Sequence, residues 1–474
     1  MIDRRELLAA AANLGLLPNV VEKDYVLGWL LAGIFNHPAL ADKWVFKGGT
    51  CLKKCYFETY RFSEDLDFTL NDETHLNADF LVGTFREVST WVYEQTGIEL
   101  PHDKVDFEVF RNRRDRPAGQ GRISYRGPIA PSSGDLPRIK LDLTADELLV
   151  LPPVDRPVSH PYSDAPEGGI MVRCYSYEEV FAEKVRALAE RGRPRDLYDV
   201  VNLFRHEEFQ PAAPIIQDVL GKKCTFKGIP FPTIGTLSSV RDELVADWAA
   251  MLDHQLPSLP PVDTFWSELP ALLAWIEEGR QPAIPPAFPL AAGDMVIRPP
   301  AGAISIPGMG STAPIEVIRF AASNRLCVEL DYVDEHGARG VRTIEPYSLR
   351  RTQAGHIVLH AVRADNQVHR SYRVDRIRAA RTTQQTFTPR YAVELAPTGP
   401  ISIPPTSHTP RTTAPRATAR SRTFGHAGPT YVYQCGLCSK RFEHSKQDST
   451  LRSHKDKNGW PCSSRYGIWV DTKW

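Results

Sequence analysis

Two linked stretches decide how this chain reads: Phe46-Lys-Gly-Gly-Thr-Cys-Leu52 and Arg61-Phe-Ser-Glu-Asp-Leu-Asp-Phe68. In an extended strand, residues two apart share a face. Ser63, Asp65 and Asp67 therefore point one way, and Glu64, Leu66 and Phe68 the other. Two neighbouring carboxylates repel each other unless a cation lies between them, which suits one or two Mg²⁺ ions holding a nucleoside triphosphate. Gly48-Gly49 lets backbone N–H groups approach phosphate oxygens, and Thr50 adds a hydroxyl. Further on, Arg138–Thr144 alternates, with Ile139, Leu141 and Leu143 on one face and Arg138, Lys140, Asp142 and Thr144 on the other. That predicts a strand and makes Asp142 a candidate third carboxylate. Each piece alone has an ordinary reading: a solvated strand end, a plain turn, a solvent-facing Asp, an Arg61 paired with nearby acids. Their order, Gly-Gly-Thr, then Arg-x-Ser-x-Asp-x-Asp, then a strand bearing Asp, is far more specific.

The surrounding pattern is α+β. Arg4–Leu17 and Glu22–Phe35 have helical apolar spacing, and Lys43–Phe46 and Asp65–Leu70 read as strands. Ser176 and Glu179 form a capping-box signature that opens a helix over 176–191. Lys184 sits within that helix in the apolar run Val180-Phe-Ala-Glu-Lys-Val185, where it either snorkels out or serves a bound anion. Arg191 is seven residues on and shares its face. Pro194 suits the first turn of the next helix, which places Asp196 at its positive end.

The strings VEKDYVLGWLL, FKGGTCLKKCY, RFSEDLDFTL and EEVFAEKVRALAERGRPRDLYDV resemble the AbiEii/AbiGii-type nucleotidyltransferase toxins of the polymerase-beta-like superfamily, over about residues 15–280. The resemblance implies a phosphate-facing turn at Gly48, Gly49 and Thr50, with Arg61 and Ser63 beside the nucleotide. It implies Mg²⁺ ligands at Asp65 and Asp67, with Asp142 as third carboxylate on a shorter motif. It also implies a triphosphate contact at Lys184 and a catalytic-site residue at Asp196, flanked by Arg195 and Asp199. The reaction would move a nucleoside monophosphate from the triphosphate to an acceptor, either RNA (a tRNA 3′ end among the candidates) or a protein hydroxyl. The cluster Arg111, Arg113, Arg114 and Arg116, followed by a Gly-rich loop at Gly119-Gln120-Gly121, is either an acceptor contact or a solvated loop.

The formal net charge is zero, from 57 basic and 57 acidic residues, but the charge is not evenly spread. Residues 1–313 sum to −12, 314–388 to +4 and 389–474 to +8. The acidic front is a poor docking surface for nucleic acid and the basic rear a better one. Hydrophobic residues at 42% exclude a disordered chain. The apolar run Leu7–Leu17 is preceded by Asp3 and Glu6 and interrupted by Asn13, so it does not read as a signal peptide. The scattered Cys51, Cys55, Cys174, Cys224 and Cys327 read as buried thiols of a reducing compartment. The expectation is a bacterial cytoplasmic protein with no membrane partner.

Two proline-rich stretches, 281–313 and 396–429, read as linkers, the second basic and rich in Ser and Thr. They leave a transferase domain over 1–280, a small β domain over 314–395 and a zinc module over 430–474. The strand pattern of 314–388 resembles a WYL-type domain, a small Sm-like β-barrel of bacterial regulators and defence proteins, although Ile357-Val358 stands where the family's aromatic pair would be. This unit has 12 Arg and no Lys. Arg350, Arg351, Arg370, Tyr372, Arg373 and Arg376 mix cations with an aromatic ring, which suits single-stranded nucleic acid. The other reading is an Arg-rich face paired with the acidic first domain. At the end, Cys435 and Cys438, then His454 and Cys462, have the spacing of a structural tetrahedral Zn²⁺ site, with His444 as competitor for the third ligand. Phe442, Trp460, Tyr466, Trp469 and Trp474 are expected to form its small core.

Together these readings predict a Mg²⁺-dependent nucleotidyltransferase acting as the toxin of a toxin–antitoxin or phage-defence system. A cognate antitoxin and C-terminal modules that hold nucleic acid would accompany it. The alternative is a non-catalytic regulator that binds nucleic acid through those modules.

Overall fold

The computed structural model describes residues 1–14, 17–57, 61, 63–129, 135–206, 211–279, 285–289, 294–297, 313–395, 430–435, 437–444, 446, 448–455, 462, 464 and 466–473. The basic stretch 396–429 and most of 281–313 lie outside them. The chain divides into two compact units, Met1–Ser407 and His408–Trp474. No helix among the described residues is long and apolar enough to cross a membrane.

The first unit opens with α1 (Arg4–Leu14) and α2 (Pro18–Asn36). Pro18 falls in the first turn of α2, where a missing N–H removes no helical bond. Strand β1 (Trp44–Lys47) runs directly into α3 (Gly48–Cys51), which widens into a π-turn at Leu52–Tyr56. Next come β2 (Asp65–Leu70), α4 (Ala78–Thr96), β3 (Val105–Arg111), β4 (Pro117–Ser124), β5 (Arg138–Thr144), β6 (Val154–Val158) and β7 (Ile170–Cys174). These strands form one mixed seven-stranded sheet in the order β3-β4-β5-β2-β1-β7-β6. At its centre β2 pairs antiparallel with β1, Asp67 opposite Lys47, and parallel with β5, Asp67 opposite Asp142. Gly119 and Gly121 do not form a loop; they lie within β4. A Cβ at Gly121 would fall 2.4 Å from the Phe107 ring, so the small residue makes room for a neighbouring side chain rather than a bend.

Among the described residues there follow α5 (Tyr177–Arg191), α6 (Pro194–Arg205), α7 (Ala213–Lys227), α8 (Ile234–Ser238), α9 (Arg241–Leu252), α10 (Val262–Trp266) and α11 (Leu269–Glu278). Ser176 caps α5 by accepting from the Glu179 N–H, but the capping box is only half made. The buried Glu179 carboxylate turns instead to the N–H groups of Val150 and Leu151 and to Lys223 at 2.7 Å.

The second sheet contains β8 (Met295–Val296), then, after α12 (Ala313–Ser323), β9 (Leu326–Val333), β10 (Arg339–Arg351), β11 (Ile357–Arg363), β12 (His369–Arg373) and β13 (Ile377–Thr386). It is antiparallel, in the order β12-β11-β10-β9-β13, with β8 added beside β10. The expected barrel is not closed: among the described residues no pairing joins β12 to β13. α12 lies across β9, β10 and β13 instead. One apolar core runs from Trp44 and Phe68 of the first sheet through Ile318 of α12 to Leu330 and Leu359 of the second. Arg205, at the end of α6, donates to the Ser323 carbonyl at 3.0 Å and grips Glu268, stitching the polar margin of that junction.

The second unit is a three-stranded antiparallel sheet of β14 (Thr430–Cys435), β15 (Arg441–His444) and β16 (Gly467–Lys473), in the order β15-β14-β16. Tyr433, Phe442 and Leu451 pack with Cys435 and Cys462 as its core. Phe442 is buried as expected, whereas Tyr466 and Trp469 are 68% and 58% exposed and do not belong to the core. Trp460 and Trp474 lie outside the described residues.

Candidate functional site

The turn after β1 is shaped around the acids of β2. Gly48 has φ +83°, and a Cβ there would fall 2.1 Å from Asp67 Oδ2. A Cβ at Gly49 would fall 2.4 Å from Arg61 Nη2 and 3.0 Å from Ser63 Oγ. Only glycine permits this approach. Thr50 Oγ1 donates to the Asp65 carbonyl at 2.6 Å and lies 2.9 Å from Ser63 Oγ, so its hydroxyl ties the turn to β2.

Asp65 and Asp67 share the half-buried face of β2, while Leu66 and Phe68 enter the core. Among the described residues neither carboxylate makes a hydrogen bond or ion pair. Burial pushes both above the usual carboxylate range, and the Asp142 charge adds to this. Lys140 opposes the shift at Asp65, and Lys47, at the end of β1, opposes it at Asp67. Asp142 is more exposed and is engaged by Lys140 at 2.7 Å and by Gln120 at 3.2 Å. The oxygens of the three aspartates do not all come within 4.8 Å of one another. Two partly buried acids without partners are a donor set that suits a hard divalent cation, with Asp142 held one strand away.

Behind the carboxylates, α5 and α6 supply a buried ionic network. Lys184 does not snorkel out: it lies 2.7 Å from Asp199 and 3.7 Å from Asp196. Arg61 chelates Asp199 through Nε and Nη2, both at 2.9 Å, and donates to Gln255 at 3.0 Å. Arg191 does the same to Asp196 at 2.6 and 2.8 Å. Burial works against ionisation of Asp199, but the Arg61 and Lys184 charges overcome it and hold the carboxyl at about 2. Asp196 is thus engaged by cations and is fully buried. Asp199 is the residue that the motif underplayed; its spacing of three from Asp196 puts both on one helical face and could have marked it. Lys47 carries no local signal, because its role depends on Asp67, its partner across the neighbouring strand.

The arginines of the second sheet divide. Arg350 is fully buried, its Nη2 donating to Glu394, and Tyr372 is 4% exposed. Neither lies on the surface, which corrects their reading as exposed nucleic-acid contacts. Arg351 and Arg370 are exposed, Arg373 pairs with Asp375, and Arg376 is half-exposed.

In the second unit Cys435, Cys438, His454 and Cys462 bring their ligand atoms within 4.8 Å of one another. His454 Nδ1 lies 2.9 Å from the Arg452 carbonyl, while buried Nε2 has no hydrogen-bond partner of good geometry among the described residues. A proton on Nδ1 donated to that carbonyl leaves Nε2 as the free ligand atom. Three thiols and one imidazole fit tetrahedral Zn²⁺. His444 stands apart against the Tyr433 ring.

The family described as "Nucleotidyl transferase AbiEii toxin, Type IV TA system" matches residues 29–275, just over half of the chain, and the WYL domain matches residues 314–382. No curated protein matches the sequence. Among solved structures, similarity is found to MenT4, a nucleotidyltransferase toxin from Mycobacterium tuberculosis. It has 18% identity and TM-score 0.34, over 59% of this chain and 89% of that one. Proteasome accessory factor B/C of Arthrobacter aurescens matches at 14% identity and TM-score 0.16, over 62% of this chain and 41% of that one.

Proposed function

Because the chain belongs to the AbiEii nucleotidyltransferase toxin family and carries a WYL domain, we propose that it transfers a nucleoside monophosphate from a triphosphate to an acceptor hydroxyl, as the toxin of a bacterial toxin–antitoxin or phage-defence pair. The observation that carries this reading is the pair Asp65 and Asp67, without a side-chain partner among the described residues, against the Gly48–Thr50 turn. These two acids would hold Mg²⁺, with Asp142 as the shared or third ligand of a two-metal site; the cation, when bound, supplies charge neutralisation at the phosphates.

In the reaction the acceptor oxygen bonds to the α-phosphorus, the bond to the β-phosphate oxygen breaks, and pyrophosphate leaves. Lys184, fixed between Asp199 and Asp196, faces the leaving group with its positive charge, and Lys47 offsets charge beside Asp67. Asp142, once released from Lys140, accepts the hydroxyl proton. Asp196 acts by positioning Lys184 and Arg191. Ser63 and Arg61 shape the wall of the nucleotide pocket. Fixed charge and orientation carry most of the rate in such transfers.

The acceptor is an RNA, a tRNA 3′ end or a protein hydroxyl, and the site of action is the cytoplasm. The exposed Arg351 and Arg370, with Arg373 and Arg376, and the basic zinc unit would hold single-stranded nucleic acid. A cognate antitoxin would silence the transferase. The boundaries 1–280, 314–395 and 430–474 delimit the corresponding functional regions. The test is incubation of the full chain with Mg²⁺, each labelled nucleoside triphosphate in turn, and total RNA or protein. Label transfer that is lost in Asp65→Ala is expected. No transfer from any nucleotide to any acceptor, with tight binding of single-stranded RNA or DNA, would leave the non-catalytic regulator in its place.

A further inference from the structure

The described pieces of the proline-rich stretch between the two sheets are docked onto the second one. Phe288 is 4% exposed, and its ring is boxed by four others: Tyr347 at 5.6 Å between centroids, His360 at 5.4 Å, His369 at 5.0 Å and Tyr391 at 5.0 Å. The segment is pinned on either side. The Ala392 N–H donates to the Pro286 carbonyl at 3.0 Å, and β8 pairs with Arg350 and Arg351.

Beside this box lies a set of buried polar groups. Strand register places Ser348 opposite His360 and His360 opposite Ser371, with Arg350 two residues along on the same face. Ser348 and Arg350 are fully buried and His360 is 8% exposed. Among the described residues Ser348 Oγ, Arg350 Nε and Nη1, and His360 Nε2 have no hydrogen-bond partner. Arg350 keeps its Nη2 bond to Glu394, and His360 Nδ1 meets Ser371 Oγ at 3.2 Å. Buried donors and acceptors left unmade are costly, and four such atoms on one face of one sheet do not form a packing core.

A site walled by tilted aromatic rings and filled by Phe288, edged by guanidinium, carboxylate, hydroxyl and imidazole, has the chemistry that recognises a nucleobase. The charges of Arg350 and Glu394 offset each other, which favours a neutral heterocycle over a free anion. We propose that this face of the second sheet binds a nucleobase, and that Phe288 is a placeholder from the chain's own connector, displaced when a base enters. The proposal deepens the reading that the C-terminal modules take nucleotides or nucleic acid, and it stands apart from the transfer reaction.

The full chain is titrated with the four ribonucleoside monophosphates and with a mixed-sequence tetranucleotide, with label transfer measured in parallel. Phe288→Ala is expected to bind at least one probe about tenfold more tightly than wild type, because a competing closed state has been removed. Adding Arg350→Met is expected to reverse that gain. In wild type, saturating probe is expected to speed hydrogen exchange at 294–297 and leave 44–67 unchanged. That measurement decides the matter if Phe288→Ala melts early. Binding of a monophosphate identifies a free nucleotide as the ligand, and binding of the tetranucleotide alone identifies a base within a single strand. Binding that ignores both substitutions, or exchange at 294–297 that ignores every probe, overturns the proposal. Label transfer then still stands or falls by itself.

Discussion

Asp199→Asn tests whether the ionic network behind the active site is an anchor. The change removes the carboxylate that holds Arg61 at 2.9 Å and Lys184 at 2.7 Å, while the three side chains are only 1%, 4% and 11% exposed. Arg61 loses the carboxylate it chelates and Lys184 keeps Asp196 at 3.7 Å, and breaking a buried ion pair in this way is worth about 3–5 kcal/mol of destabilisation. That is a large part of the roughly 5–15 kcal/mol available to a domain. The pH dependence gives a second reading. The folded carboxyl sits at about 2 and an unfolded one at about 3.9, so its contribution is complete above the unfolded value and is lost as pH falls toward 2. A shift of that size corresponds to about 2.5 kcal/mol. Urea unfolding of the full chain, followed by tryptophan fluorescence from pH 2 to 7, should show a lower midpoint for Asp199→Asn at neutral pH and a flatter acid limb below pH 4. A variant within about 1 kcal/mol of wild type, with the acid limb intact, would refute the anchoring role.

Three further outcomes follow from the same geometry. Asp67→Asn should abolish label transfer while its melting temperature holds or rises, because it removes an uncompensated carboxylate; a clear loss of stability would show the acid to be structural. Gly48→Ala must accommodate both φ +83° and a Cβ 2.1 Å from Asp67, so it should lose about 1–3 kcal/mol and most of the activity; wild-type kinetics would show that the turn is not rigid. Purified protein should contain one zinc per chain and Cys435→Ser none. Removal of the metal should unfold 430–474, since such sites supply about 10–16 kcal/mol of folding energy, without moving the melting of the first unit.

The parts of this molecule readable from sequence are those governed by local spacing. Alternation along 65–70 and 138–144 predicted both strands and the face shared by Asp65 and Asp67, because a strand's period is a property of the strand alone. The Cys435–Cys462 spacing likewise points to its cluster, since a small metal loop closes within a few dozen residues. What failed were inferences in which the deciding partner lies far off. The glycines of β4 looked like a loop because Phe107, which requires them, sits on the next strand. Glu179 looked like half of a capping box because Lys223 and the 150–151 backbone, which claim it, come from other elements. Lys184 is ambiguous between solvent and anion in the sequence because Asp199, its partner at 2.7 Å, comes from the next helix. Arg350 reads as surface in the sequence because nothing local announces Glu394, and the run of short strands suggests a closed barrel where, among the described residues, β12 and β13 do not pair.

The shared core between the two sheets bears on how the chain is made. Ile318, Leu330 and Leu359 pack into the same apolar cluster as Trp44 and Phe68, so the transferase side has no finished boundary of its own at residue 280. During synthesis the active-site strands emerge first, yet the apolar cluster they belong to is complete only after the segment near residue 395 has left the ribosome. The last-made part of this unit therefore closes the first-made part, and a nascent or truncated toxin would be left with an open apolar flank, open to chaperones and proteases before it is competent to act.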